Sequence, residues 1–162
     1  MDKKILGVDV GGVIIDRVRN DGTDTAFKGG RYLETTNVQN SFESLRELNL
    51  KLNGLIYVVS KCGLTIELKT RDWLKHKGFY NFTGISPANV HYCRERWEKA
   101  PICKWLGITH FIDDRLEVLN YLETVENKYL FGPQNLEDLE QVKNLPSIIL
   151  VDSWKEVLQK IN

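Results

Sequence analysis

The chain has 162 residues, 42% of them hydrophobic and 27% charged, enough for one domain with a substantial buried core. Lysine plus arginine and aspartate plus glutamate each total 22, and the resulting zero formal charge argues against a dedicated nucleic-acid binder. No run approaches the roughly 20 apolar residues that span a bilayer, so no membrane segment is expected.

The N-terminal stretch MDKKILGVDVGGVIID has a charged start and an apolar run broken by Asp9, Gly11 and Gly12. It has no small-residue cleavage site, so it does not read as a signal peptide, and a cytoplasmic location is expected. Cys62, Cys93 and Cys103 are widely spaced and form no C-x-x-C pair, which predicts reduced, buried thiols. The three histidines form no ligand pair.

Short apolar runs alternate with amphipathic stretches, the pattern of an α/β fold. In chain order the runs cover 5–9, 55–60, 89–93, 110–113, 128–131 and 147–152. Their continuous hydrophobicity suits parallel strands covered on both faces. Between them, 38–52 places Phe42, Leu45, Leu48 and Leu52 at helical spacing, and 64–77 reads as a helix stopped by Gly78. Further helices are expected over 100–106 (from near Pro101), 115–126, 136–143 and 153–161, the last capped by Ser153. Leu116, Leu119, Leu122 and Val125 give 115–126 an apolar face. Trp73, Trp97, Trp105 and Trp154 are expected in the core or at its margins.

The polar stretch 17–37 holds Gly22, Gly29 and Gly30 and has little apolar periodicity. It reads as a flap or minimal cap inserted after the first strand of a single domain spanning 1–162. Arg17, Arg19, Lys28 and Arg31 lie in it, and a solvated loop is their ordinary role; gripping an anionic substrate is the alternative.

In an open parallel sheet, ligands bind beyond the carboxyl ends of the strands, near the point where the strand order reverses. The first strand ends in Asp9, the second in Ser60, and the fourth in Asp113 and Asp114, with Lys99 before the strand that carries them. Asp9 and Asp113 would repel one another without a cation between them. Oxygen-only ligands select a hard ion such as Mg2+. A carboxylate nucleophile, a hydroxyl, an ammonium and a glycine loop able to approach phosphate closely suit phosphoryl transfer. Lys61 adjoins Ser60, and Lys104 competes with Lys99 as the phosphate-binding lysine.

The ordered set D-V-G-G-V-I (9–14), V-V-S (58–60), Lys99 and F-I-D-D (111–114) resembles the four motifs of the haloacid dehalogenase-like superfamily. The resemblance runs from about Leu6 to the last strand. It implies a three-layer Rossmann-like domain with a mostly parallel sheet and no large cap. It also implies a Mg2+-dependent phosphatase-type hydrolase working through an aspartyl-phosphate on a small phosphorylated substrate, a nucleotide or sugar phosphate. In that reading Asp9, Ser60 and Lys99 are catalytic. Gly11, Gly12, Ser60, Lys61 and Lys99 bind substrate. Asp9, the Gly11 carbonyl, Asp113 and Asp114 hold the metal.

The sequence departs from the family pattern at Gly11, where phosphatases of the family usually carry a second aspartate as general acid and base. That help is typically worth about 10²–10⁴-fold. Asp16 or Asp21 could replace it, and the alternative is a catalytically impaired protein that binds a phosphorylated ligand or a protein partner. The string 7–13 also resembles the phosphate loop of sugar kinases and actin-like proteins. That fold needs two such domains, and Val13 stands where its threonine would be.

Overall fold

A computed structural model describes residues 2–17, 27, 29–133 and 135–161. Its centre is a six-stranded sheet of β1 (Leu6–Val8), β2 (Ile56–Lys61), β3 (Val90–Cys93), β4 (His110–Asp113), β5 (Asn127–Phe131) and β6 (Ile148–Val151). The strand order is β3-β2-β1-β4-β5-β6 and every neighbouring pair is parallel. Order therefore reverses between β1 and β4, where Val8 lies beside Ile112. This is the three-layer α/β domain expected from the apolar runs, and their continuity has the anticipated cause: both faces are covered.

The helices are α1 (Ser41–Lys51), α2 (Leu64–His76), α3 (Phe79–Thr83), α4 (Lys99–Leu106), α5 (Leu116–Tyr121), α6 (Leu136–Val142) and α7 (Trp154–Lys160). One core cluster joins Leu6 and Val8 to Leu45 and Leu48 of α1, Trp73 of α2, Phe79 of α3 and Trp154 of α7. The other, on the opposite face, joins Phe111 to Cys103 of α4, Leu116 and Leu119 of α5 and Val142 of α6. Cys62, Cys93 and Cys103 are buried and unpaired.

Several boundaries differ from the sequence reading for identifiable reasons. Helix α1 starts at Ser41, not at 38, because the chain before it is held elsewhere. Val38 N–H donates to Ile14 O, Asn37 bridges Ile15, and Asn40 adopts φ 64°. Helix α5 stops at Tyr121 although the apolar spacing continues, because Leu122 turns the chain toward β5 while its side chain stays buried. Gly78, at φ 70°, ends α2 as expected but also opens the short α3, which periodicity did not reveal. Ser153 caps α7, its hydroxyl accepting from Glu156 N–H. Trp73 and Trp154 are fully buried, whereas Trp97 and Trp105 are 55% and 75% exposed and lie outside the core.

Gly7 sits under the Phe111 ring, and a Cβ there would lie 2.4 Å from the ring's Cδ2. Gly7→Ala is therefore expected to destabilise the protein by about 1–3 kcal/mol through overpacking. Urea unfolding would show it as a lower midpoint, and an unchanged midpoint would mean that Phe111 yields freely.

Of the stretch 17–37, Arg17, Phe27 and 29–37 are described; Arg19, Asp21 and Lys28 lie outside the described residues. The described part is tied to α2. Trp73 Nε1 donates to Thr35 O at 2.9 Å and Tyr32 Oη donates to Asp72 Oδ2 at 2.9 Å. Among the described residues no helix is long and apolar enough to cross a membrane.

Candidate active site

Two strand ends meet at the reversal point. Asp9 directly follows β1, its N–H donating to Ile112 O, and Asp113 closes the neighbouring β4. Pairing of Val8 with Ile112 sets the two carboxylates side by side. Asp114 follows, and one oxygen from each of Asp9, Asp113 and Asp114 lies within 4.8 Å of the others.

The loop after Asp9 is wound tightly, with Val10 O accepting from the N–H groups of Val13, Ile14 and Ile15. Gly12 takes φ +79°, and a Cβ on it would meet Asp114 Oδ2 at 2.4 Å, so only glycine permits this approach. Its own N–H is bound to Ile15 O. In this arrangement the Gly12 amide is engaged within the loop, and the residue shapes the turn beside Asp114. Gly11 lines the cavity.

Lys99 opens α4 and is buried, with Nζ 2.9 Å from Asp9 Oδ1 and 2.8 Å from Asp113 Oδ2. It also stands 5.6 Å from the Phe111 ring centroid. Position is set upstream by a tight 3₁₀ turn, Arg96–Glu98, closed by reciprocal bonds between Glu95 and Glu98. Lys104 is exposed on the same helix and takes no part in this cluster. Ser60, buried in β2, and the exposed Lys61 line the same cavity as Asp9.

Burial alone would lower Lys99, but the charges of Asp113 and Asp9 outweigh it and hold the ammonium above its ordinary range. The carboxylates are short of countercharge nonetheless. Burial first, then the charge of Asp9, pushes Asp113 up to about 6 against the pull of Lys99. Burial, Asp9 and Asp113 push Asp114 up to about 8, although Arg17 Nη1 stands 3.1 Å from its Oδ2. Asp114 Oδ1 is buried without a hydrogen-bond partner. An oxygen-only cluster, under-neutralised and with an orphaned carboxylate oxygen, fits a hard divalent cation.

The cavity above the cluster has a volume of about 400 Å³, within the range of small-molecule sites. Sequence reasoning left Arg17 in a solvated loop and did not single out Arg96, Arg115 or Thr70, all of which line this cavity. A usable signal was the apolar run 13–15 just before Asp16 and Arg17, since a buried run holds whatever follows it close to the core.

No protein-family model and no curated protein sequence matches the chain. Among solved structures, the crystal structure of D,D-heptose 1,7-bisphosphate phosphatase from Burkholderia thailandensis is similar, with a TM-score of 0.59 at 14% identity. The alignment covers 98% of this chain and 97% of that one. The chain therefore shares the fold of that phosphatase over nearly its whole length, with the parallel six-stranded sheet at its centre.

Proposed function

We propose that the protein is a Mg2+-dependent phosphatase that hydrolyses a phosphomonoester through an aspartyl-phosphate on Asp9. The observation that carries this is the cluster of Asp9, Asp113 and Asp114 with the buried Lys99, of which Asp9, Asp113 and Lys99 line the cavity. Asp9, Asp113 and Asp114, with the Gly11 carbonyl, would hold Mg2+, which when bound neutralises phosphoryl charge. Lys99 grips Asp9 through Oδ1 and so orients the carboxylate for attack on phosphorus. Ser60 and Lys61, which line the cavity, would donate to the phosphoryl oxygens. Water then opens the aspartyl-phosphate and restores Asp9. A nucleotide or sugar phosphate suits the cavity, and the sugar arm draws support from the substrate named for the structural neighbour. Arg17 and Phe27, from the stretch read as a flap, line this cavity.

The test is phosphate release from a panel of phosphomonoesters with Mg2+, run on wild type and on Asp9→Asn. Release by wild type alone supports the reading. Silence from both, with phosphorylated ligands still bound, would favour a binding protein instead. The Arg17 guanidinium beside Gly11 is the observation on that side.

Metal loading can be checked apart from turnover. A carboxylate whose folded pKa is raised weakens the fold above that pKa and gives the stability back as pH falls toward the unfolded value. With Asp113 raised to about 6 and Asp114 to about 8, this site strains the metal-free protein most at alkaline pH. Mg2+ needs the charged ligands and relieves the strain, so its stabilisation should be larger near pH 8.5 than near pH 6. At one hundred times Kd it amounts to about 2.7 kcal/mol, or roughly 5–10 °C in Tm for a chain of this size. Scanning calorimetry with and without Mg2+ reads this, and no Mg2+ shift at either pH would remove the metal from the proposal.

A further inference from the structure

Breaking a phosphate ester leaves negative charge on the departing oxygen, and a site can handle it by donating a proton or by supplying a fixed positive charge. The groups nearest Asp9 favour the second course. Lys99 Nζ is held between two carboxylates, 2.9 Å from Asp9 Oδ1 and 2.8 Å from Asp113 Oδ2, and a guanidinium does not give up its proton in a protein. Ser60 and Thr70 offer hydroxyls, which are poor acids.

Arg17 occupies the decisive place. Its Nη1 is anchored on Asp114 Oδ2 at 3.1 Å, while Nη2 lies 3.6 Å and Nε 3.9 Å from where a Cβ on Gly11 would stand. The space left by the missing side chain, two residues beyond the nucleophile, is thus faced by a guanidinium. That side chain is 20% exposed and lines the cavity. A fork with five donors can serve more than one partner, and Arg17 holds Asp114 while lining the cavity. Arg115 and Lys61, which have no ion-pair partner among the described residues, add positive charge to the cavity lining.

We infer that Arg17 is a catalytic residue that receives the leaving oxygen as an anion, so that the site works best on phosphate carried by an acidic leaving group. Suitable classes are an aryl or enol phosphate, an acyl phosphate, or the terminal phosphate of a nucleoside diphosphate. This rests on the phosphatase reading and moves its substrate class away from alkyl esters such as most sugar phosphates. An Asp9 oxygen bonds to phosphorus while the bond to the leaving oxygen breaks, its electron pair departing on a carboxylate, phenolate or phosphate that needs no proton. Water then bonds to phosphorus, the bond to Asp9 breaks, and both water protons leave on dihydrogen phosphate, restoring the carboxylate.

The experiment measures kcat/KM with Mg2+ for acetyl, p-nitrophenyl, phenyl and methyl phosphate, in wild type, Arg17→Gln, Arg17→Lys, Gly11→Asp and Asp16→Asn. Wild type should fall steeply along the series, with methyl phosphate slower by at least the 10²–10⁴-fold or so that proton donation ordinarily contributes. Arg17→Gln should lose about 10²–10³-fold and steepen the fall, with Arg17→Lys between it and wild type. A purely structural role would lower all four substrates in parallel. A Cβ at Gly11 meets nothing closer than 3.6 Å, and Gly11→Asp should flatten the series by supplying an acid. Hydrolysis with little dependence on the leaving group in wild type would overturn the inference and leave the phosphatase reading intact. Steepening by Asp16→Asn would overturn it too, by giving proton donation to Asp16, another carboxylate of the cavity lining. No release from any of the four substrates would overturn both.

Discussion

Asp9→Asn is expected to abolish phosphate release, by at least about 10⁴-fold, without loosening the fold. The amide keeps the size and shape of the carboxylate, so β1, its loop and the contact with Lys99 can persist. What disappears is the nucleophile. The charge of Asp9 is also a main reason, after burial, that Asp113 and Asp114 are held above their ordinary range. Its removal relieves that repulsion, and the metal-free variant should melt no lower than wild type. The two readouts together are diagnostic: activity lost with Tm kept identifies a chemical role. Release that survives the substitution would sink the aspartyl-phosphate route outright.

Lys99→Met should do the opposite and damage stability as much as activity. The ammonium is 2% exposed and bridges Asp9 and Asp113, and methionine fills its volume without its charge. Removing one partner from a buried ionic cluster leaves uncompensated charge and costs about 3–5 kcal/mol. For a chain of this size that is a fall in Tm of roughly 6–20 °C. Mg2+ should recover part of the loss, because the ion replaces some of the missing positive charge, whereas phosphate turnover should stay low. Calorimetry of the variant with and without Mg2+ checks both statements. An unchanged Tm would mean that the carboxylates tolerate one another without the lysine.

The site was legible where it depends on strand ends and opaque where it depends on which way a helix or loop faces. Asp9, Ser60, Asp113 and Asp114 could be placed because a buried strand is short and apolar, and the first polar residues at its carboxyl end have one place to go. The choice between Lys99 and Lys104 was not open to the same reasoning. Five residues along a helix is a rotation of about 140° from the starting direction, so only the docking of α4 could say which lysine meets the carboxylates. Arg17 was harder still. It begins a polar stretch with no periodicity, and its pairing with Asp114 depends on the tight turn at Val10 to Ile15, whose hydrogen bonds leave no pattern in the residue types. Helix α5 shows the reverse error, in which apolar spacing outlasts the helix because Leu122 and Val125 stay buried after the chain has turned.

The strand order has a consequence for assembly. Asp9 and Lys99 are 90 positions apart, and β1 reaches its partner β4 only after β2, β3 and their helices have been laid down on one side. Closing contacts across such separations is entropically slow, so the site belongs to the late part of folding. A fragment ending short of His110 could form β1, β2 and β3 and still have neither Asp113 and Asp114 nor the strand that positions them. Chemistry at Asp9 is in this sense a report on the whole chain: it becomes possible only once the central pair of strands has closed.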